Sequence, residues 1–228
     1  MLRQALAPIH PDGWRFIALF AVASVLLYWL AHPLGWLGLV ATLWCVYFFR
    51  DPWRVTPLTP GLVIAPADGR IVTIDEAPPP PELELGSAPM LRIAIFLNVL
   101  DVHINRMPMA GRITKRVYRK GKFVNAGLDK ASADNERMAI RIDTPDGDAI
   151  AVVQIAGLVA RRIVCTVDAG EAVIAGQRFG LIRFGSRAEI YVPPSWTPLA
   201  IVGQRAVGGE TVIAEVGSGG RQRLGTEH

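Results

Sequence analysis

Apolar residues dominate the chain from Phe16 to Phe49, where no Asp, Glu, Lys or Arg occurs. The block falls into two pieces, residues 16–30 and 34–49, separated by Ala31-His32-Pro33. A membrane-spanning helix needs about 20 apolar residues, so the block is too long for one span and each piece is slightly short. Because Pro and Gly at the junction favour a break, the pattern predicts a hydrophobic helical hairpin over residues 1–50.

Basic residues flank this block on both sides, with Arg3 and Arg15 before it and Arg50 and Arg54 after it. The positive-inside bias then puts both ends in the cytoplasm. We therefore expect the hairpin to enter the inner cell membrane from its cytoplasmic face. Two alternatives compete. A cleaved signal peptide lacks a clean Ala-x-Ala site, and Trp and Tyr at the ends of the pieces disfavour the core hairpin of a soluble protein.

Residues 51–216 show β-branched runs, several with period-two alternation, separated by turn signals at intervals of about 8–12 residues. This pattern predicts a mainly β, compact barrel-like or sandwich-like domain. Residues 125–136 do not look like a strand, and the polar, Gly-rich residues 217–228 predict a flexible tail. The clearest predicted strands cover residues 70–76, 91–97, 149–157 and 161–167.

Composition supports attachment to a lipid surface. The chain is 51% hydrophobic with a mean hydropathy of +0.31, and its net charge of +4 suits contact with anionic headgroups. Nucleic-acid binding is not expected, because Lys and Arg are scattered and the cluster at 112–122 alternates like a strand. The two cysteines, Cys45 and Cys165, predict neither a disulfide framework nor a metal site.

Three polar residues have side chains that could take part in nucleophilic catalysis. His103 is the one histidine inside the predicted β domain, beside Asp101, Asn105 and Arg106. Together, Asp68, His103 and Ser186 would supply an orienting carboxylate, a base and a hydroxyl nucleophile. Sequence alone does not bring them into contact, and an Asp-Gly such as Asp68-Gly69 is usually only a turn. The role of the dipeptide Gly185-Ser186 is also undecided at this point. It could be an ordinary turn, or its peptide bond could be one that the protein cleaves in itself.

Five stretches of the chain together resemble a known protein family, and they occur in the same order as in that family. The chain resembles the short form of the phosphatidylserine decarboxylases, which are membrane-associated, self-processing pyruvoyl enzymes. The stretches that carry the resemblance are FFRDPWR (48–54), APADGRI (65–71), FLNVLDVHINRMP (96–108), GKFVNAGLDKASADNER (121–137) and IRFGSRAEIYVP (182–193).

The resemblance implies that the chain cuts itself between Gly185 and Ser186 into a β chain, 1–185, and an α chain, 186–228, that stay associated. Ser186 would become a covalent pyruvoyl group, and neither metal nor pyridoxal phosphate would be needed. His103, oriented by Asp68, would take the serine proton. Gly185 lacks a Cβ and so tolerates a strained turn. The implied reaction converts phosphatidylserine in the membrane to phosphatidylethanolamine.

Arg106 departs from the longer members of the family, which carry a second histidine at this position. We interpret Arg106 either as a ligand for the substrate carboxylate or phosphate, or as an arginine that braces a loop. His103 would then serve both processing and turnover.

Two rival functions remain open. The substrate could be an ether-linked, archaetidylserine-type lipid, because the headgroup chemistry would be the same. Residues 170–186 also resemble the hairpins of lipoyl or biotinyl carriers, but residues 157–203 contain no lysine for such a group. The sequence does not decide the oligomeric state and is compatible with a homo-oligomer.

Overall fold

The computed structural model describes residues 7–121, 134–157, 162–183 and 186–217. Gly185, most of the 125–136 segment and the tail from residue 218 lie outside the described residues. The chain divides into two compact units. One comprises Met1–Trp53 with Leu100–Val102, and the other comprises Arg54–Val99 with His103–His228.

The first unit is a helical hairpin, as predicted. Helix α1 (Trp14–Leu30) and helix α2 (His32–Phe48) are separated by Ala31 alone, whose backbone is extended (φ −159°, ψ 121°). His32 and Pro33 were predicted to lie between the helices, but they form the first turn of α2, where proline loses no hydrogen bond.

The two helices pack closely where small residues face each other. Ser24 Oγ lies 3.1 Å from Thr42 Oγ1, and a Cβ at Gly38 would stand 2.6 Å from Ser24 Oγ. Large apolar side chains such as Trp29 (85% exposed) and Leu26 (66%) point outward. By length and composition, Pro11–Leu30 could cross a membrane, and α2 is a shorter apolar helix. The exposed apolar surface argues against the core hairpin of a soluble protein.

The second unit is mainly β, which confirms the predicted fold class. Its strands are β1 (Leu62–Ile64), β2 (Gly69–Ala77), β3 (Met90–Leu97), β4 (Ile104–Arg106), β5 (Gly111–Arg119), β6 (Arg137–Asp143), β7 (Ala149–Ala156), β8 (Ile163–Cys165), β9 (Ala172–Val173), β10 (Arg178–Ile182), β11 (Ser186–Val192), β12 (Thr197–Pro198), β13 (Arg205–Ala206) and β14 (Val212–Glu215). The four clearest predicted strands correspond to β2, β3, β7 and a shorter β8.

An antiparallel eight-stranded sheet organises this unit, in the order β13-β2-β3-β11-β7-β6-β5-β9. Two three-stranded sheets, β1-β14-β12 and β4-β10-β8, complete it. Alternate apolar side chains from all three sheets form one core that includes Val63, Ile93, Ile140, Phe179 and Ile190. The eight-stranded sheet therefore curls as a half-barrel around this core. Strand β11 is an interior strand of that sheet, between β3 and β7.

Candidate active site

Ser186 is the first residue of β11, the strand held between β3 and β7. It lies opposite Leu97 on one side and Ala156 on the other. Its side chain is fully buried, and Oγ has no hydrogen-bond partner within the described ranges. A buried hydroxyl without a partner costs about 1–3 kcal/mol, so such a group in a native protein calls for a functional explanation.

His103 directly precedes β4 and is 1% exposed. Its carbonyl oxygen accepts a hydrogen bond from the backbone N–H of Ile182 at 3.3 Å, which extends the β4–β10 ladder beyond Ile104 and Leu181. Ile182 precedes Ser186 by four residues. The fold therefore ties the backbone of the candidate base to the segment that leads into the candidate nucleophile.

Asp68 lies in the connection between β1 and β2. One carboxylate oxygen accepts from the Arg54 guanidinium at 2.7 Å, and the other accepts from the backbone N–H of Gly208 at 2.8 Å. Both charged side chains are largely buried. A Cβ at Gly208 would stand 2.9 Å from the Ala67 carbonyl carbon, so glycine permits this close approach.

Apolar packing brings the Asp68 segment to the same end of the sheet as Ser186. Ala67 packs with Leu97, which faces Ser186, and with Ala188, two residues farther along β11. Arg54 and Gly208 were not predicted from the sequence to be site residues. Arg54 belongs to one of the stretches that carry the family resemblance, residues 48–54. Its position in that stretch was the one feature of the sequence that could have identified it as a site residue.

Arg106 is buried on β4, and its backbone N–H donates to the Pro66 carbonyl at 2.9 Å. This bond joins the strand after His103 to the segment before Asp68. The guanidinium donates to the Gly176 carbonyl at 3.1 Å. Bracing of the Gly176 turn is therefore one task of Arg106, while contact with a substrate anion stays a prediction.

The opposite face of β11 carries a buried ionic network. The Arg187 guanidinium lies 2.8 Å from the Glu189 carboxylate, and the Tyr191 hydroxyl donates to the same carboxylate at 2.8 Å. Burial, together with Glu189, raises the pKa of Tyr191 well above its usual range. Arg92 on β3 reaches both Asp75 and Glu189. The contact between Arg92 and Glu189 joins β11 to β3 on the face of the sheet opposite Ser186.

Among the residues that the structure describes, no group of three or more His, Cys, Asp or Glu side chains is arranged so that it could hold a metal ion. The arrangement instead offers a buried hydroxyl, a buried imidazole and a buried carboxylate on connected segments. These groups are suited to acyl transfer at a backbone carbonyl.

The chain is similar to known proteins over most of its length. A family model described as phosphatidylserine decarboxylase matches residues 41–214. The chain is 56% identical over 214 residues to the phosphatidylserine decarboxylase proenzyme of Beijerinckia indica subsp. indica, covering 94% of this chain and 92% of that protein. It is 54% identical over 214 residues to the phosphatidylserine decarboxylase proenzyme of Nitrobacter winogradskyi, covering 94% of this chain and 87% of that protein.

Proposed function

The chain belongs to the phosphatidylserine decarboxylase family, and we propose that it converts phosphatidylserine to phosphatidylethanolamine after cutting itself between Gly185 and Ser186. The word proenzyme in the names of both relatives supports processing from one precursor. One observation carries the proposal. The Ser186 hydroxyl is fully buried at the start of β11 and lacks a partner among the described residues.

In the proposed self-cleavage, Ser186 Oγ attacks the carbonyl carbon of Gly185, and the C–N bond breaks as an ester forms. His103 takes the hydroxyl proton and delivers it to the nitrogen of residue 186. Loss of the Cα proton of residue 186 then breaks the Oγ–Cβ bond, which leaves a carboxylate on Gly185 and a dehydroalanine at residue 186. Water adds to the imine tautomer of that dehydroalanine, and the nitrogen departs as ammonia. The α chain, 186–228, then begins with a ketone.

That pyruvoyl ketone supplies the electron sink for the electron pair of the breaking Cα–carboxylate bond. Residue 186 suits the group because its side chain is fully buried and its strand is paired on both sides. The protein thereby fixes the position of the reacting carbon. His103, with a side chain that is 1% exposed, would hold the proton that the product carbon takes up.

The proposed β and α chains stay together because they share sheets. Strand β11 of the α chain pairs along its length with β3 and β7 of the β chain. Strand β14 pairs with β1, and β13 pairs with β2. Separation would break all of these ladders and expose the common core, so the cut leaves the fold in place.

We also infer that the helical hairpin holds the enzyme on the cytoplasmic face of the inner membrane. The exposed apolar surface of α1 and α2 supports burial in lipid, and the basic residues Arg15 and Arg50 at the hairpin ends support that orientation.

The test of the proposed function is a turnover assay on the full-length protein with phosphatidylserine vesicles. We expect equal amounts of carbon dioxide and phosphatidylethanolamine, and neither product from a Ser186→Ala variant, which cannot form the ketone. A parallel assay with an ether-linked serine lipid measures the backbone preference. Wild-type protein that is cut but leaves both lipids unchanged would contradict the proposed reaction.

Substitution of Arg106 tests its second proposed task, contact with the substrate anion. In Arg106→Lys we expect complete self-cleavage and a KM for phosphatidylserine raised about tenfold with kcat little changed, because lysine loses the forked contact but keeps the charge. The matched control is Arg178→Lys, since exposed Arg178 lies opposite Arg106 in the β4–β10 ladder. A wild-type KM in Arg106→Lys would exclude contact between Arg106 and the substrate anion.

A further inference from the structure

A buried pair of side-chain amides lies between the strand that follows His103 and the sheet that carries Ser186. Asn105 on β4 and Gln154 on β7 are both fully buried. Gln154 Nε2 donates to Asn105 Oδ1 at 2.8 Å and to the Val164 carbonyl at 3.3 Å. Because the Val164 carbonyl can only accept a hydrogen bond, the Gln154 group that faces it must be the amide nitrogen, Nε2. The same nitrogen faces Asn105, so Asn105 must present its oxygen, Oδ1, to Gln154.

This orientation leaves the Asn105 amide nitrogen free to donate. Asn105 Nδ2 is buried and has no hydrogen-bond partner in the described part of the chain, and the same is true of Gln154 Oε1. Ser186 Oγ is a third such atom. Buried polar groups are almost always paired in native proteins, so three unpaired atoms in one neighbourhood indicate a group that uses them during function.

The sheet register puts the amide pair beside the reacting residue. Ser186 faces Ala156 and Ala188 faces Gln154, so Ser186 and Gln154 are diagonal neighbours on the same face of the β7–β11 pair. Such neighbours lie about 7–8 Å apart, within reach of long side chains. Asn105 follows His103 by two residues along an extended segment, which puts both on one face of the β4–β10 ladder.

Gly180 makes room for the pair. It lies opposite Asn105 in β10, and a Cβ there would stand 3.0 Å from Gln154 Nε2 and would collide with the Val164 carbonyl oxygen. Any larger residue at 180 would therefore displace the two groups that orient Asn105.

We propose that Asn105 Nδ2 donates a hydrogen bond to the oxyanion that forms during self-cleavage, and that Gln154 positions Asn105 for this role. The inference rests on the proposed cleavage at Ser186. As Oγ bonds to the preceding carbonyl carbon, the C=O electron pair moves onto oxygen while the hydroxyl proton passes to His103. A neutral amide donor stabilises that charge, and the charge returns to the carbonyl when the C–N bond breaks.

The experiment follows self-cleavage of the full-length chain by intact mass after cell-free synthesis. Asn105→Asp keeps the shape and the oxygen facing Gln154 but replaces the donor, and we expect cleavage to slow about 10²–10³-fold. Gln154→Met leaves Asn105 in place without its orienting bond, and we expect a smaller decrease. Thr144→Val is the matched control, because Thr144 Oγ1 is also buried without a described partner. That variant should be cut at the wild-type rate.

Hydroxylamine separates the steps, because it cuts an accumulated ester but not a peptide bond. Uncut Asn105→Asp precursor should resist hydroxylamine, because loss of the oxyanion donor slows the step that forms the ester and no ester accumulates. Precursor that hydroxylamine cuts, or a folded Asn105→Asp chain that matches the wild-type rate, would overturn the inference. If Asn105→Asp does not fold, Gln154→Met carries the test, and a wild-type rate in that variant would overturn it. An uncut wild-type chain would instead remove the proposed function itself.

Discussion

Replacement of Ser186 by alanine is expected to leave the chain whole, whereas the wild-type protein is recovered as two chains, residues 1–185 and 186–228. Alanine has no oxygen to attack the preceding carbonyl, so neither the ester nor the ketone can form. Intact-mass measurement is decisive. The wild-type small chain should be lighter, by the mass of one ammonia, than the same chain beginning with serine.

The chain carries its own control for this prediction. Gly86-Ser87 is the same dipeptide, but it lies in an exposed loop between β2 and β3. We expect no cut there in the wild type, and normal cleavage at Ser186 in a Ser87→Ala variant. Cleavage would then depend on the burial of the serine at the start of a central strand, rather than on the dipeptide. A Ser186→Ala chain that is still divided after Gly185 would show that Ser186 is not the nucleophile.

His103→Gln is expected to slow self-cleavage about 10²–10⁴-fold, the usual effect of losing a general base. Glutamine approximates the size of the imidazole and can still form hydrogen bonds, but it cannot take up the serine proton. The measurement is the fraction of uncut precursor over time. His10→Gln is the control, because His10 belongs to the N-terminal unit, where it accepts a hydrogen bond from the Asp12 backbone. Its cleavage should match the wild type.

The same measurement tests whether Asp68 acts through His103. Asp68→Asn should also slow cleavage, but the double variant Asp68→Asn with His103→Gln should be no slower than His103→Gln alone, because groups that act as one unit do not add. Additive losses would mean that Asp68 serves the site separately, through its bonds to Arg54 and Gly208. Wild-type cleavage in His103→Gln would exclude the imidazole as the base.

Much of the fold could be predicted because its signals are local. The uncharged block around Ala31 indicated two helices, since apolar length and a Pro-Gly junction act over a few residues. Alternation of apolar residues likewise indicated β2, β3 and β7. The junction was two residues shorter than expected, because His32 and Pro33 belong to the second helix. Proline is tolerated in the first turn of a helix, so its presence in a sequence does not by itself mark a residue outside the helix.

Candidate site residues could be named from the sequence because few residue types perform this chemistry. His103 is the single histidine of the β domain, and the family resemblance singled out Ser186 beside Gly185, which lies outside the described residues. The supporting residues had no comparable signal. Arg54 was interpreted only as a basic flank of the membrane block, and Gly208 was not singled out, whereas the structure places both against the Asp68 carboxylate.

The sequence by itself therefore determined the class of the fold, the apolar hairpin and the residue types able to attack and accept a proton. Only the tertiary structure decided that β11 lies between β3 and β7, that the Ser186 hydroxyl is buried without a partner in the described chain, and that Asn105 meets Gln154. Periodicity reports which face of a strand is buried, but it does not report which distant strand becomes the neighbour. Strand order depends on the packing of the whole core, and that order assembles this site.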